Sequence, residues 1–287
     1  MSVLSNHRPR IPGITSRAEA PQRRPRMRSR KMFTRRQRLV IGVLNLTTFL
    51  ILWQVAATVS DLPKLFLPSV TEVFAELVEL EREGMLWGNL WISLTVYLVG
   101  MAISLVLAVP MGLAIGGIRI LDKILSPYVW AVYTTPRIIL MPLILLWVGI
   151  NDAARVTIIV LSAVPATLVV VMEGVKTVDN SLLTAARSFG ADRVTLFRSV
   201  VLPSTVPFIA TGVRMGVSRG LIGLFIGELF TAANGIGYIL TLASKTFNSA
   251  QTFGILLIFV MFCVTMVSLS QLLERKVSAW RPQPAAA

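Results

Sequence analysis

Long apolar runs alternate with short polar stretches along this chain, and the runs are too long for soluble helices. The first is VIGVLNLTTFLILWQVAATV, Val40 to Val59, about the length needed to cross a bilayer's hydrocarbon core as a helix. SDLPKLFLPS follows, with two prolines, and reads as an extended exit segment. The stretch SVTEVFAELVELEREG then carries Val70, Phe74, Leu77 and Leu80 at helical spacing, with glutamates largely elsewhere. It predicts an amphipathic surface helix with Ser69 as its cap.

Further spans are expected at about Leu90–Ile115, Leu125–Val148 and Val156–Met172, the first two separated by a short turn holding Arg119 and Lys123. Glu173 to about Pro207 is too polar to cross. Two more apolar regions follow, roughly Phe208–Phe230 and Phe253–Leu273, the former containing Arg214, Arg219 and Glu228. The expected fold is all-α and polytopic, with six transmembrane helices.

Composition agrees. The 287 residues are 54% hydrophobic and 15% charged, with a mean hydropathy of +0.72, whereas soluble domains carry about 25% charge. Charge also sets the expected orientation. Twelve Arg or Lys precede Val40 against one acid, Glu19. Positive charge beside a first span holds a terminus in the cytoplasm and attracts anionic lipid, so this basic, disordered tail is read as a topology and membrane-lipid element rather than a nucleic-acid site. Six crossings then place the Arg119/Lys123 turn and Glu173–Pro207 inside. The expected external segment Ser60–Gly84 is poor in Lys and Arg, with only Lys64 and Arg82.

One stretch carries a more specific pattern. In TAARSFGADRVTLFRSVVLPSTVPFIATG, Thr184 to Gly212, Ala185 and Ala186 are expected to end a short helix and Gly190 to permit a tight turn. A second amphipathic helix would stop at Leu202 and Pro203. Ala185, Ala186, Gly190, Val200, Leu202 and Pro203 together resemble the EAA loop of binding-protein-dependent ABC importer permeases, with Thr184 where the family's glutamate usually stands. LPSVTEVFAELVEL, TTPRIILMPLILLWVGINDAARV, GELFTAANGIGYIL and LLERKVSAW occur in the order of the nitrate, taurine and aliphatic sulfonate subgroup. That architecture is also similar to permeases for pyrimidine-type vitamin precursors and for bicarbonate.

The resemblance implies a type I importer permease with a cytoplasmic coupling helix, in which Thr184, Ala185, Ala186, Arg187, Gly190, Leu202 and Pro203 serve coupling to an ATPase. It also implies the partners: two copies of a cytoplasmic ATP-binding subunit, an extracytoplasmic solute-binding protein and a second copy of this chain. The expected organisation is a basic cytoplasmic tail over 1–39, a permease domain over 40–274 with the EAA-like loop at 177–205, and a C-terminal cytoplasmic tail over 275–287.

Other candidate residues keep two readings each. Arg137 lies between Pro136 and Pro142 and either contacts an anion or snorkels and pairs at the cytoplasmic end. Glu228 either faces a translocation path or makes a helix-packing hydrogen bond. Gly235 and Gly237 of ANGIGY form either an external gate or re-entrant loop, or a connecting turn. Chemistry of other kinds finds little footing: one His and one Cys, Cys263, offer no metal cluster or hydrolase triad, and no glycine run is followed by the Lys-Ser or Lys-Thr of a phosphate-binding loop. The expectation is a permease that is not an enzyme and holds no cofactor, with ATP and Mg in the partner. An ion-gradient-driven transporter is the rival reading.

Overall fold

The computed structural model describes residues 35–60, 63–231 and 234–277. Most of the basic tail and the last ten residues lie outside them. The described residues form helices and no strands: α1 Arg35–Val59, α2 Val70–Arg82, α3 Met85–Gly117, α4 Arg119–Thr134, α5 Met141–Val148, α6 Asp152–Lys176, α7 Asn180–Ser188, α8 Arg193–Leu196, α9 Leu202–Thr231, α10 Ile236–Lys245 and α11 Ser249–Val277. Five helices are long and apolar enough to cross a membrane, and a sixth span exists if the bent pair α4 and α5 counts as one.

The core is built around α6, flanked by α3 and α9. Between helices in a lipid solvent there is little hydrophobic driving force, so close backbone approach carries the packing. Glycines permit it here. A Cβ on Gly100 or Gly112 of α3 would sit 2.6 or 2.8 Å from side-chain carbons of Ile159 or Val171, and one on Gly116 would sit 2.5 Å from the Met172 carbonyl. On α9, a Cβ on Gly223 would lie 2.9 Å from the Ile158 carbonyl. Next to this seam Val96, Tyr97, Met101, Ile159, Leu221, Leu224 and Phe262 form the main apolar core. By contrast α1 is almost wholly exposed to the membrane, and it touches the bundle through Trp53, whose Nε1–H donates to the Pro68 carbonyl at 3.1 Å.

Ser69 caps α2 as expected: its Oγ accepts from the Glu72 N–H, and the Glu72 carboxylate accepts from the Ser69 N–H. Glu72 also pairs with Lys64 at 2.5 Å. The Lys64 ammonium, followed by the Ser69 donors, lowers the Glu72 carboxyl to about 2. The buried face of α2 is Val73 and Leu80, whereas Phe74 is exposed. That corrects the expected apolar face, because the helix turns Val73 and Leu77 toward Gly254 of α11, whose bare Cα admits them.

Three further expectations are corrected. Arg119 and Lys123 stand on α4, the turn being confined to Ile118. The span expected at Leu125–Val148 is not one helix: α4 and α5 meet at 89° across a break. Pro136 cannot donate a helical hydrogen bond, and it forces Thr135 into extended backbone (φ −67°, ψ 129°). Nor does the helix after Gly190 stop at Pro203. It passes through a π-turn, Phe197–Val201, in which the Leu202 N–H donates to the Phe197 carbonyl, and runs on into α9. Pro203 thus sits inside a continuous helix, directly after the π-turn that loosens the backbone hydrogen bonding ahead of it.

Candidate functional site

The segment between α6 and α9 stands away from the bundle, with no buried residue in α7, α8 or the π-turn. Asp179 caps α7 by accepting from the Ser181 N–H at 2.8 Å, which lowers its carboxyl below the usual range. The helix closes at Ser188, two residues beyond Ala186. The Ala191 N–H reaches back to the Ala186 carbonyl at 3.1 Å and the Gly190 N–H to Arg187 at 2.9 Å, with Gly190 at φ +80°. This left-handed closure is open to glycine at no steric cost. Asp192 then caps α8 through the Thr195 N–H at 3.0 Å.

Thr184, Ala185, Arg187 and Gly190 are thus gathered on one exposed turn, with Ala186 half-buried. Leu202 and Pro203 lie apart from them, where the chain enters α9. Phe189, which no motif singled out, is 91% exposed at the tip of the turn, with Leu182 and Val194 exposed nearby. Arg187, Arg193 and Arg198 make the same surface basic.

A second constellation lies at the opposite end of α9. Glu228 is fully buried: its carboxylate accepts from the Ser93 hydroxyl and, at 2.8 Å, from the Gly237 N–H, and stands 4.0 Å from Arg155 Nη1. Arg155 is 1% exposed and binds Asp152, the Asn234 side chain and the Asn234 carbonyl. The Gly235 N–H donates to Asn89 Oδ1 at 2.8 Å and the Ile236 N–H to Ser93 Oγ at 2.9 Å. The first N–H groups of α10, which have no partner inside their own helix, are therefore held by side chains of α3 and α9. Gly235 and Gly237 leave no room for a side chain, since a Cβ on either would collide with Glu228. Glu228, Gly235 and Gly237 come together in one polar knot that seats α10 against α3. Arg155 and Ser93 were missed from sequence, although the Asp152/Arg155 spacing at the head of an apolar run was a visible signal.

The family model described as "Binding-protein-dependent transport system inner membrane component" matches residues 104–279, which include the α7 turn and, of this knot, Arg155, Glu228, Gly235 and Gly237. The chain belongs to that family. The permease is 30% identical over 215 residues to a probable ABC transporter permease protein of Brucella abortus, covering 75% of this chain and 86% of that one. It is 28% identical to the taurine transport system permease protein of Escherichia coli over 261 residues, 89% of this chain and 94% of that one. In fold it is similar to a chain of an inward-facing methionine ABC transporter, MetNI, with a TM-score of 0.60 at 21% identity, covering 68% of this chain and 98% of that one. It is therefore a multi-pass inner-membrane subunit of an ABC importer.

Arg137 does not join the knot. It opens a 3-10 turn, Arg137–Leu140, between α4 and α5. Nη2 donates to the Tyr133 carbonyl at 2.7 Å and the guanidinium lies 5.8 Å from the Tyr133 ring centre. Its Nε is buried without a partner. No cluster of three metal-ligating side chains occurs among the described residues.

Proposed function

We propose that this permease forms the translocation path for a small anionic solute of the sulfonate type, taurine among them, and couples its passage to a separate ATPase through the α7 turn. The carrying observation is the exposed surface of that turn. A phenylalanine 91% exposed beside a left-handed glycine and grouped with exposed Leu182, Val194 and three arginines is what a docking element presents to a cleft on a partner. A purely structural loop would bury Phe189 or replace it.

In this reading two copies of the chain form the path and two cytoplasmic ATP-binding subunits take up the two turns. ATP and Mg bind in those subunits. A solute-binding protein delivers the solute from outside, and the termini and the α7 turn face the cytoplasm, as the basic tail favours. Closure of the ATPases moves the turn. Because α8, the π-turn and α9 are continuous, that motion passes into α9 as a lever and switches which side the path faces. The solute class is supported by the taurine relative.

The test is co-purification of the tagged permease with its ATPase subunit from detergent-solubilised membranes, comparing wild type with Phe189→Asp. The substitution lies on an exposed side chain, so the variant inserts and keeps its thermal midpoint. Loss of the ATPase from it supports docking through the turn. Retention of the ATPase at wild-type stoichiometry, with ATP-driven uptake of taurine unchanged, refutes it.

A further inference from the structure

Helix α10 closes on a strained residue. The Phe247 N–H donates to the Ser244 carbonyl at 3.3 Å and the Asn248 N–H to the Ala243 carbonyl at 3.0 Å, the paired bonds with which helices close on a left-handed residue. Glycine takes that position at no steric cost. Phe247 holds it at φ +55°, alone among the described non-glycine residues in having a positive φ, and a bulky side chain is an outlier there. The ring gains little packing in return, since Phe247 is 75% exposed. Backbone strain that its own chain does not repay by packing collects at functional sites.

The turn is held in place on both sides. Asn248 Nδ2 donates to Glu76 Oε2 of α2 at 3.1 Å, and Ser249 Oγ donates to the Leu65 carbonyl. These bonds set Phe247 beside the loop that leads into α2, where Leu65 and Phe66 are also exposed. Two chain segments thus bring three apolar side chains to one surface. On the neighbouring flank of α2, Glu79 lies one turn beyond Glu76; it is exposed and makes no ion pair among the described residues. Of the two nearby lysines, Lys64 is taken by Glu72 and Lys245 stands at the end of α10. The surface lies across the bundle from the α7 turn: α10 follows the far end of α9, whose 30 residues span about 45 Å.

We infer that Phe247, with Leu65 and Phe66, is the knob on which the extracytoplasmic solute-binding protein seats. An apolar hollow on that protein receives the rings, and cations around the hollow face Glu76 and Glu79. This rests on the proposed import cycle, in which such a protein delivers the solute. An aromatic ring on a turn already fixed by hydrogen bonds loses little freedom on docking, and the carboxylates steer a basic partner toward it. A lipid surface fits poorly, because carboxylates beside the rings are repelled by anionic headgroups and costly to carry into hydrocarbon.

The test uses the assembled transporter. Phe247→benzoylphenylalanine is photoactivated in intact cells and the adduct is identified by mass spectrometry. An adduct with an extracytoplasmic solute-binding protein is expected; adducts with lipid or a second copy of the chain alone, or none, overturn the inference. The protein so caught is then purified and its affinity for the transporter in nanodiscs is measured. Phe247→Gly relieves the backbone, so its thermal midpoint should hold or rise while the affinity falls on the order of tenfold. Wild-type affinity in this variant overturns the inference, and so does a lowered midpoint, which would show the ring to be serving the fold. Glu79→Lys should weaken binding severalfold at low salt and much less at high salt. ATPase co-purification should be unchanged in both variants. If the adduct forms but wild type moves no taurine, the docking knob stands and the solute reading fails. If wild type takes up taurine and Phe189→Asp loses the ATPase while no solute-binding protein is caught, the knob fails and the proposed function stands.

Discussion

Removing Glu228 should weaken the permease more than any single surface change, and the arrangement around it sets the size of the effect. Glu228→Ala leaves the buried Gly237 N–H without an acceptor, a cost of about 1–3 kcal/mol. Ser93 loses the acceptor for its hydroxyl proton but still accepts from the Ile236 N–H, so its share is smaller. Stripping one carboxylate from a buried arginine costs about 3–5 kcal/mol when no other remains. Arg155 keeps Asp152 and Asn234, so about half of that applies. The total is about 3–5 kcal/mol, which lowers the thermal midpoint by roughly 8–15 °C for a chain of this size. The assay is the temperature at which the detergent-solubilised protein leaves its monodisperse elution peak. Glu228→Gln keeps shape and one acceptor and should cost about half as much. The double variant Arg155→Met/Glu228→Met should be more stable than the sum of its single changes predicts, by about 1–3 kcal/mol, because it removes both charges together. A midpoint for Glu228→Ala within about 1 °C of wild type, or strictly additive single changes, would show that the knot is not a coupled unit.

Three other outcomes follow from particular contacts. Gly223→Ala places a Cβ 2.9 Å from the Ile158 carbonyl and 3.0 Å from the Ile159 Cα, backbone atoms that cannot step aside, so α6 and α9 must separate at a cost of about 1–3 kcal/mol in the same melting assay. Gly190→Ala meets no steric neighbour but holds alanine in the left-handed region, a strain of about 1–2 kcal/mol confined to the turn; limited proteolysis between Ala186 and Arg193 should quicken while the global midpoint stays put. The capping box of α2 should loosen with acid. Glu72 has its carboxyl lowered to about 2 in the fold by Lys64 and then by Ser69, so its contribution is complete above the ordinary carboxylate range near 4.5 and is lost as pH falls toward 2. Amide exchange at Glu72 and Val73, corrected for intrinsic rate, should show protection at pH 6 that is much reduced at pH 2.5, and Lys64→Met combined with Ser69→Ala should remove most of the difference.

What could be read from the chain alone was the part set by local composition. The spans are legible because some twenty apolar residues have no other stable use, and the left-handed turn at Gly190 because only a residue without Cβ closes α7 that way. The apolar face of α2 was misjudged by one position because periodicity fixes the width of a face but not its direction: the direction is set where Leu77 and the Val73 carbonyl approach Gly254, nearly two hundred residues later. Pro203 carried an ambiguous signal. A proline inside a helix usually ends or kinks it, and here the π-turn at Phe197–Val201 directly before it lets the helix run on through Pro203. Arg155 was invisible as a site residue for a related reason. Beside Asn151 and Asp152 it reads as a solvated flank, and it is buried only because Glu228 of α9 and Asn234, just before α10, arrive to meet it. Arg137 lies between these cases. Alone it is an awkward cation in an apolar run, and at the bend between α4 and α5 its guanidinium turns back onto the Tyr133 carbonyl. A charge that local sequence leaves without a partner therefore has to be traced through tertiary neighbours before it is assigned to packing or to solute; the tracing sends Arg155 to packing.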